Sequence, residues 1–236
     1  MRLSLLLSGG KDSVYAAYLA RQYGWTVDEA IIMVPPSAES FMFHHPNARL
    51  ASEIAEAMGM HPIVVESSGD PEEELKPLED AIAMTDAPGI LTGAIASDYQ
   101  WSRINRICEK LGKRCFSPLW RKDQLRVLRE EVQAGFDIRI VAVQAEGLGR
   151  EWLGAKLDFD SLPRLEALAK KHRLNVAGEG GEYETIVLNG PNFEYGLEIE
   201  SSSQNWTGHS GRLDVTSLRR GPCNASCSTE RSGLRT

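Results

Sequence analysis

The feature that most restricts how this sequence can fold is its alternation of short apolar runs with longer stretches of helical spacing. The runs fall at Leu3–Leu7, Ala30–Val34, Ile63–Val65, Gly89–Ile95, Arg114–Ser117 and Ile138–Val143. Between them the spacing predicts helices over Lys11–Tyr23, Asn47–Met58, Glu72–Met84, Ser97–Leu111 and Asp123–Ala134. Gly59, Gly112 and Gly135 stand where helices commonly stop, and Pro71 where they commonly start. Strands alternating with helices predict βαβ units, hence an α/β, Rossmann-like, doubly wound parallel sheet. Such sheets bind ligands at the carboxyl ends of their strands, so residues just after each run are the first candidates for chemistry.

From about Glu146 the alternation gives way to a predicted helix at Ser161–His172 and short runs at Ile186–Leu188, Glu194–Glu200 and Gly211–Val215. Residues 1–145 are therefore expected to form the α/β domain and 146–217 a smaller α+β domain. The polar remainder, 218–236, is expected to be a mobile tail. With 33 acidic against 26 basic residues the formal charge is -7, which argues against a broad basic surface and direct nucleic-acid binding. Cys108, Cys115, Cys223 and Cys227 form no CxxC pair and read as reduced thiols. The leading apolar run is too short for a signal peptide, and no segment approaches the roughly 20 apolar residues of a membrane span. A cytoplasmic protein is expected.

Ser8-Gly9-Gly10-Lys11-Asp12-Ser13 joins the first strand to the first helix. Its glycines allow a sharp turn and close approach to an anion, and the helix start beyond offers N–H groups and partial positive charge. Ser8 and Ser13 add hydroxyls and Lys11 a full charge, which suits phosphate. Neither the Walker pattern GxxxxGK[ST] nor the dinucleotide pattern GxGxxG is present.

Three further segments are candidates. Thr92–Gln100 lies at another strand-to-helix junction, where Gly93 permits close approach and Ser97 or Asp98 could cap the helix. Glu39–Asn47 concentrates Phe41, Phe43, His44 and His45 in a loop and suits adenine or substrate contact. A metal reading of its histidines fails, since His61, His172 and His209 show no matching spacing. Gly178-Glu179-Gly180-Gly181-Glu182-Tyr183-Glu184-Thr185 is poor helix and poor strand, yet could bring carboxylates to a cation, an amine or a moving proton.

SGGKDS after an apolar strand resembles the signature of the pyrophosphate-loop ATPases of the adenine nucleotide alpha-hydrolase superfamily. Together with SFMFH, GAIASDYQ, Pro118-Leu119-Trp120 and EGGEYET, the chain from Met1 to about Glu200 resembles the diphthine–ammonia ligase family in its compact archaeal form. That resemblance implies an ATP domain and a small family-specific domain. It implies cleavage of ATP to AMP and pyrophosphate, with Ser8–Ser13 and Gly93 binding ATP and Asp12 in the Mg²⁺–pyrophosphate region. The implied acceptor is the diphthine carboxylate on translation elongation factor 2, amidated by free ammonium, since no glutaminase segment is evident. Lys11, Asp12, Glu182 and Glu184 are the expected catalytic residues, either glutamate serving to handle ammonium. His44, Ser97, Asp98, Tyr99, Gln100, Glu179, Tyr183 and Thr185 are expected to face the substrate. Oligomeric state is left open, a homodimer included. The alternatives are a tRNA-thiolating relative, the same chemistry on a small-molecule carboxylate, and an ATP sensor without turnover.

Overall fold

Residue alternation along the first strands decides which of two cores each side chain enters. The computed structural model describes residues 1–34, 48–67 and 75–223. In β1 (Arg2–Leu6) and β2 (Thr26–Val34), Leu3, Leu5, Ala30, Ile32 and Val34 point to one core. Ile31 and Met33 point to the other. Ser4 is fully buried between them, and its hydroxyl donates to Glu29 Oε2 at 2.8 Å, which removes the cost of burying it.

The first sheet is completed by β3 (His61–Glu66), β4 (Gly89–Leu91) and β5 (Arg114–Phe116), all parallel, in the order β3-β2-β1-β4-β5. Helices α1 (Lys11–Gln22) and α2 (Ala51–Ala57) cover one face. The helices α3 (Leu75–Met84) and α4 (Asp98–Lys110) cover the other through Leu78, Ile82, Ile104 and Ile107. The order reverses between β1 and β4. The loops leaving those two strands therefore diverge and leave a crevice at their carboxyl ends.

Chain direction changes character after α5 (Gln124–Gln133). β6 (Asp137–Val143), expected from its apolar run to extend the parallel series, instead pairs antiparallel within a second sheet. A fully apolar run is equally suited to the centre of either sheet, so its composition does not say which one it joins. β8 (Tyr183–Asn189) runs along one side of β6. The two-residue β7 (Lys156–Leu157) and the start of β10 (Gly211–Gly221) share the other side. β9 (Gly196–Trp206) pairs with β10 as a long hairpin, and α6 (Leu162–His172) buries Leu162 and Leu165. Residues 218–221, expected to begin a mobile tail, are thus paired strand; 224–236 lie outside the described residues.

Both sheets contribute to one continuous apolar core, in which Leu5, Val14 and Ile54 join Val127, Ile140, Trp152 and Ile186. Cys108 and Cys115 are free thiols. Among the described residues no helix is long and apolar enough to cross a membrane.

Candidate active site

The loop after β1 turns on Gly9, whose φ of +82° lies in the left-handed region that a side chain rarely adopts. A Cβ there would also stand 2.9 Å from Ile54 Cδ1. Gly10 is the N-cap of α1 and brings no capping side chain, so α1 presents its first turn of N–H groups uncapped from that position. Local bonds fix the turn. The Gly10 N–H donates to Ser8 Oγ at 3.3 Å, the Ser13 hydroxyl donates to the Gly10 carbonyl at 3.0 Å, and the Ser8 and Ser13 hydroxyls lie 3.2 Å apart.

Gly93, in the loop after β4, packs directly on this turn. A Cβ at Gly93 would fall 2.6 Å from both the Asp12 carbonyl carbon and the Ser13 nitrogen. The two loops of the crevice thus touch backbone to backbone. Three further bonds tie in the second sheet. The Lys11 N–H donates to Thr185 Oγ1 at 3.2 Å, the Val187 N–H to the Gly9 carbonyl at 3.0 Å, and the Ala96 N–H to Glu179 Oε2 at 3.1 Å.

Charge is concentrated here. The Lys11 side chain is 2% exposed, and its ammonium donates to Asp12 Oδ1 at 2.6 Å. Burial alone would lower its pKa, but the carboxylates of Asp12 and Glu131 more than offset this, and the ammonium is held charged. Glu131, on α5, is fully buried 3.9 Å from Lys11 Nζ. Burial drives its carboxyl well above the usual range, against the pull of Lys11 and with the Asp12 carboxylate adding to the rise. Burial also raises Glu179, and it pushes Glu184 up to about 8, with Asp12 contributing in both cases. At neutral pH Glu184 therefore stands close to its titration point.

The EGGEYET segment divides into two functions. Both oxygens of Glu182 accept backbone N–H bonds, from Asn175 at 2.7 Å and Gly180 at 2.8 Å, so this carboxylate holds its own loop in shape. Tyr183 is 3% exposed and its hydroxyl donates to the Val176 carbonyl at 2.7 Å. Tyr183, expected to face the substrate, is thus buried against its own loop. Glu179 and Glu184 are raised first by burial and then by the Asp12 carboxylate, with Lys11 opposing the rise.

Other expected residues have partners of their own. Ser97 is the N-cap of α4 and accepts from the Gln100 N–H at 3.3 Å. Asp98 is exposed and takes a two-pronged bond from Arg121, and the Tyr99 ring carries the Arg103 guanidinium 3.3 Å from its centroid. His44 and its loop lie outside the described residues. Glu131 was not among the residues that the sequence singled out. Its one signal is a Glu on the apolar stripe of α5 formed with Val127, Leu128 and Val132.

The family described as "Diphthamide synthase N-terminal domain" matches residues 1–115, and its "Diphthamide synthase C-terminal domain" matches residues 123–220. The chain belongs to the diphthamide synthase family. A human member named diphthine–ammonia ligase is 31% identical over 225 residues, covering 86% of this chain and 84% of its own length. The Schizosaccharomyces pombe protein of the same name is 32% identical over 215 residues, covering 82% of this chain and 35% of its own. A solved structure from Methanocaldococcus jannaschii, described as a predicted subunit of tRNA methyltransferase, has a TM-score of 0.43 and 15% identity. It covers 80% of this chain and 96% of that one. The division of the family description between residues 115 and 123 falls just before α5, where the first sheet ends.

Proposed function

We propose that this member of the diphthamide synthase family is an ATP-dependent diphthine–ammonia ligase, amidating the diphthine carboxylate on translation elongation factor 2 with free ammonium. The observation that carries the assignment is the meeting of a phosphate loop centred on Lys11 with two raised carboxylates, Glu179 and Glu184, supplied by the second sheet. Relatives that match most of the chain bear the ligase name.

A free carboxylate resists attack by ammonia because it would have to expel an oxide. In the proposed first step a carboxylate oxygen of the acceptor bonds to the α-phosphorus of ATP while the bond from that phosphorus to the α,β-bridging oxygen breaks. Pyrophosphate leaves against the α1 N-terminus, Ser8, Ser13 and Lys11, where N–H dipoles and one ammonium stabilise the departing charge. In the second step the ammonia nitrogen bonds to the acyl carbon and AMP departs. Ammonium must shed a proton before attack and another after it. Glu184, ionising near 8 and backed by Glu179, is the group suited to accept one. Magnesium, when bound, would neutralise phosphate charge. The described residues gather no set of three carboxylate, histidine or cysteine ligands. Magnesium commonly takes one or two protein carboxylates and fills its shell with phosphate and water, a role open to Asp12. We assign the nucleotide to the first sheet and the acceptor to the second.

Incubation with ATP, Mg²⁺, ammonium and diphthine-bearing elongation factor 2 tests this. AMP, pyrophosphate and an amidated acceptor are the expected products. ADP with free phosphate would exclude the proposed bond cleavage, and AMP without amidation would exclude the acceptor.

A further inference from the structure

Val127, Leu128, Glu131 and Val132 form the buried face of α5, at spacings where a helix packed on a core normally places only apolar residues. Glu131 has no exposed surface, and neither carboxyl oxygen receives a hydrogen bond from an N–H or hydroxyl donor among the described residues, where its only hydrogen-bonding neighbour is the Asp12 carboxyl. Leaving a carboxyl in that state costs more than filling the position with an aliphatic side chain. Among the described residues Glu131 is paired with Lys11, itself 2% exposed, whose ammonium is 3.9 Å from Glu131 Oε2 and bonded at 2.6 Å to Asp12, which also neighbours Glu131. Asp12 is 25% exposed, whereas Glu131 is fully buried.

We propose that Glu131 is a positioning residue for Lys11, aiming its ammonium at bound phosphate from behind. Lys11 has three donor hydrogens to place. The bond to Asp12 takes one of them, and the ion-pair contact with Glu131, at 3.9 Å too long for a hydrogen bond, confines the ammonium on its buried side before nucleotide arrives. When phosphate competes with Asp12 for the ammonium, the contact with Glu131 keeps Nζ from swinging out of line. The same reasoning explains why a residue unsuited to its helix position occupies it: the cost falls on stability, the benefit on phosphate binding. This inference rests on the assignment of the loop to ATP, so its test reads nucleotide affinity alone and needs no acceptor.

The full chain carrying Glu131→Met, Glu131→Gln, Lys11→Met, or Lys11→Met with Glu131→Met would be titrated with a non-hydrolysable ATP analogue by calorimetry, and its thermal midpoint recorded. Glu131→Met, close to glutamate in volume, is expected to melt at or above the wild-type temperature while weakening nucleotide binding by roughly tenfold. Glu131→Gln, which keeps an oxygen acceptor behind the ammonium, should restore affinity to within about threefold of wild type. Once Lys11 is gone, Glu131→Met should have no further effect on affinity, because the two residues act as one unit. Independent, multiplying losses in the double variant would overturn the proposal, as would wild-type affinity in a folded Glu131→Met. Absence of nucleotide binding by the wild-type chain would instead remove the ATP assignment and this inference together.

Discussion

At the scale of single residues, the site depends on what is absent at position 93 as much as on what is present at position 11. The backbone of α1 lies where the Cβ of any other residue at position 93 would sit, 2.6 Å from two main-chain atoms that cannot swing away. Gly93→Ala must therefore displace the phosphate loop. We expect a stability loss of about 1–3 kcal/mol and a fall of at least roughly tenfold in AMP release, followed by denaturant titration and nucleotide chromatography. Glu184 supplies a pH dependence. Its pKa rises from 4.5 to about 8 on folding, so its neutral form favours the folded state below that window and the benefit is lost as pH climbs through it. Its share of the stability falls by up to about 1.4 kcal/mol per pH unit between those limits. Glu184→Gln should flatten that share, so thermal midpoints of variant and wild type diverge in the variant's favour as pH is raised from 6 to about 9. Equal slopes would show that the carboxyl ionises normally.

At the scale of elements, the sequence disclosed much of the frame and less of the assembly. The first five apolar runs became the five parallel strands, because a strand buried on both faces between two cores must be apolar at nearly every position, a pattern that can be read without coordinates. The sharp turn at Gly9 and Gly10 was equally legible, since two consecutive glycines between strand and helix mark a tight backbone turn. What the sequence did not disclose are pairings. The serine-rich half of β9, Ser201–Gln204, carries no apolar period and was not expected to be strand. It is held by the β10 ladder and by hydroxyl contacts of Ser201 with Thr216 and Ser217, neither of which leaves a one-dimensional signature. Glu131 escaped for the same reason, because its meaning lies in a partner more than a hundred positions away. Glu182 and Glu184 looked interchangeable in sequence. Adjacent side chains on an extended segment point to opposite sides, but two apart they share one; local loop geometry at Gly180 and Gly181, not periodicity, separates their roles. Thr185 is the element-level joint. Thr185→Val removes the hydroxyl that the Lys11 N–H donates to, and should weaken nucleotide binding by about fivefold, corresponding to one ordinary hydrogen bond of about 1 kcal/mol. Calorimetric titration of the variant checks it, and unchanged affinity would show that the joint is dispensable.

At the scale of the whole molecule, two sheets with different strand directions share one apolar interior, with Phe136 packed against Tyr15 and Tyr18 at the junction. Arg21 of α1 adds a polar fastening, donating to the carbonyls of Asn192, Val27 and Met58. Neither sheet can be exposed without opening the interior of its neighbour. We expect one cooperative transition, with calorimetric and van't Hoff enthalpies in agreement and with coincident melts by far-ultraviolet dichroism and tryptophan fluorescence. Two resolved transitions would show that the halves fold separately.

The amide of Val187 gripping the carbonyl of Gly9 has a mechanical corollary. Together with the Thr185 hydroxyl bonded to Lys11, it makes any displacement of that strand of the second sheet a pull on the main chain of the Gly9–Lys11 turn. If the proposed assignments hold, an acceptor seated on the second sheet would thereby strain the turn proposed to hold the nucleotide.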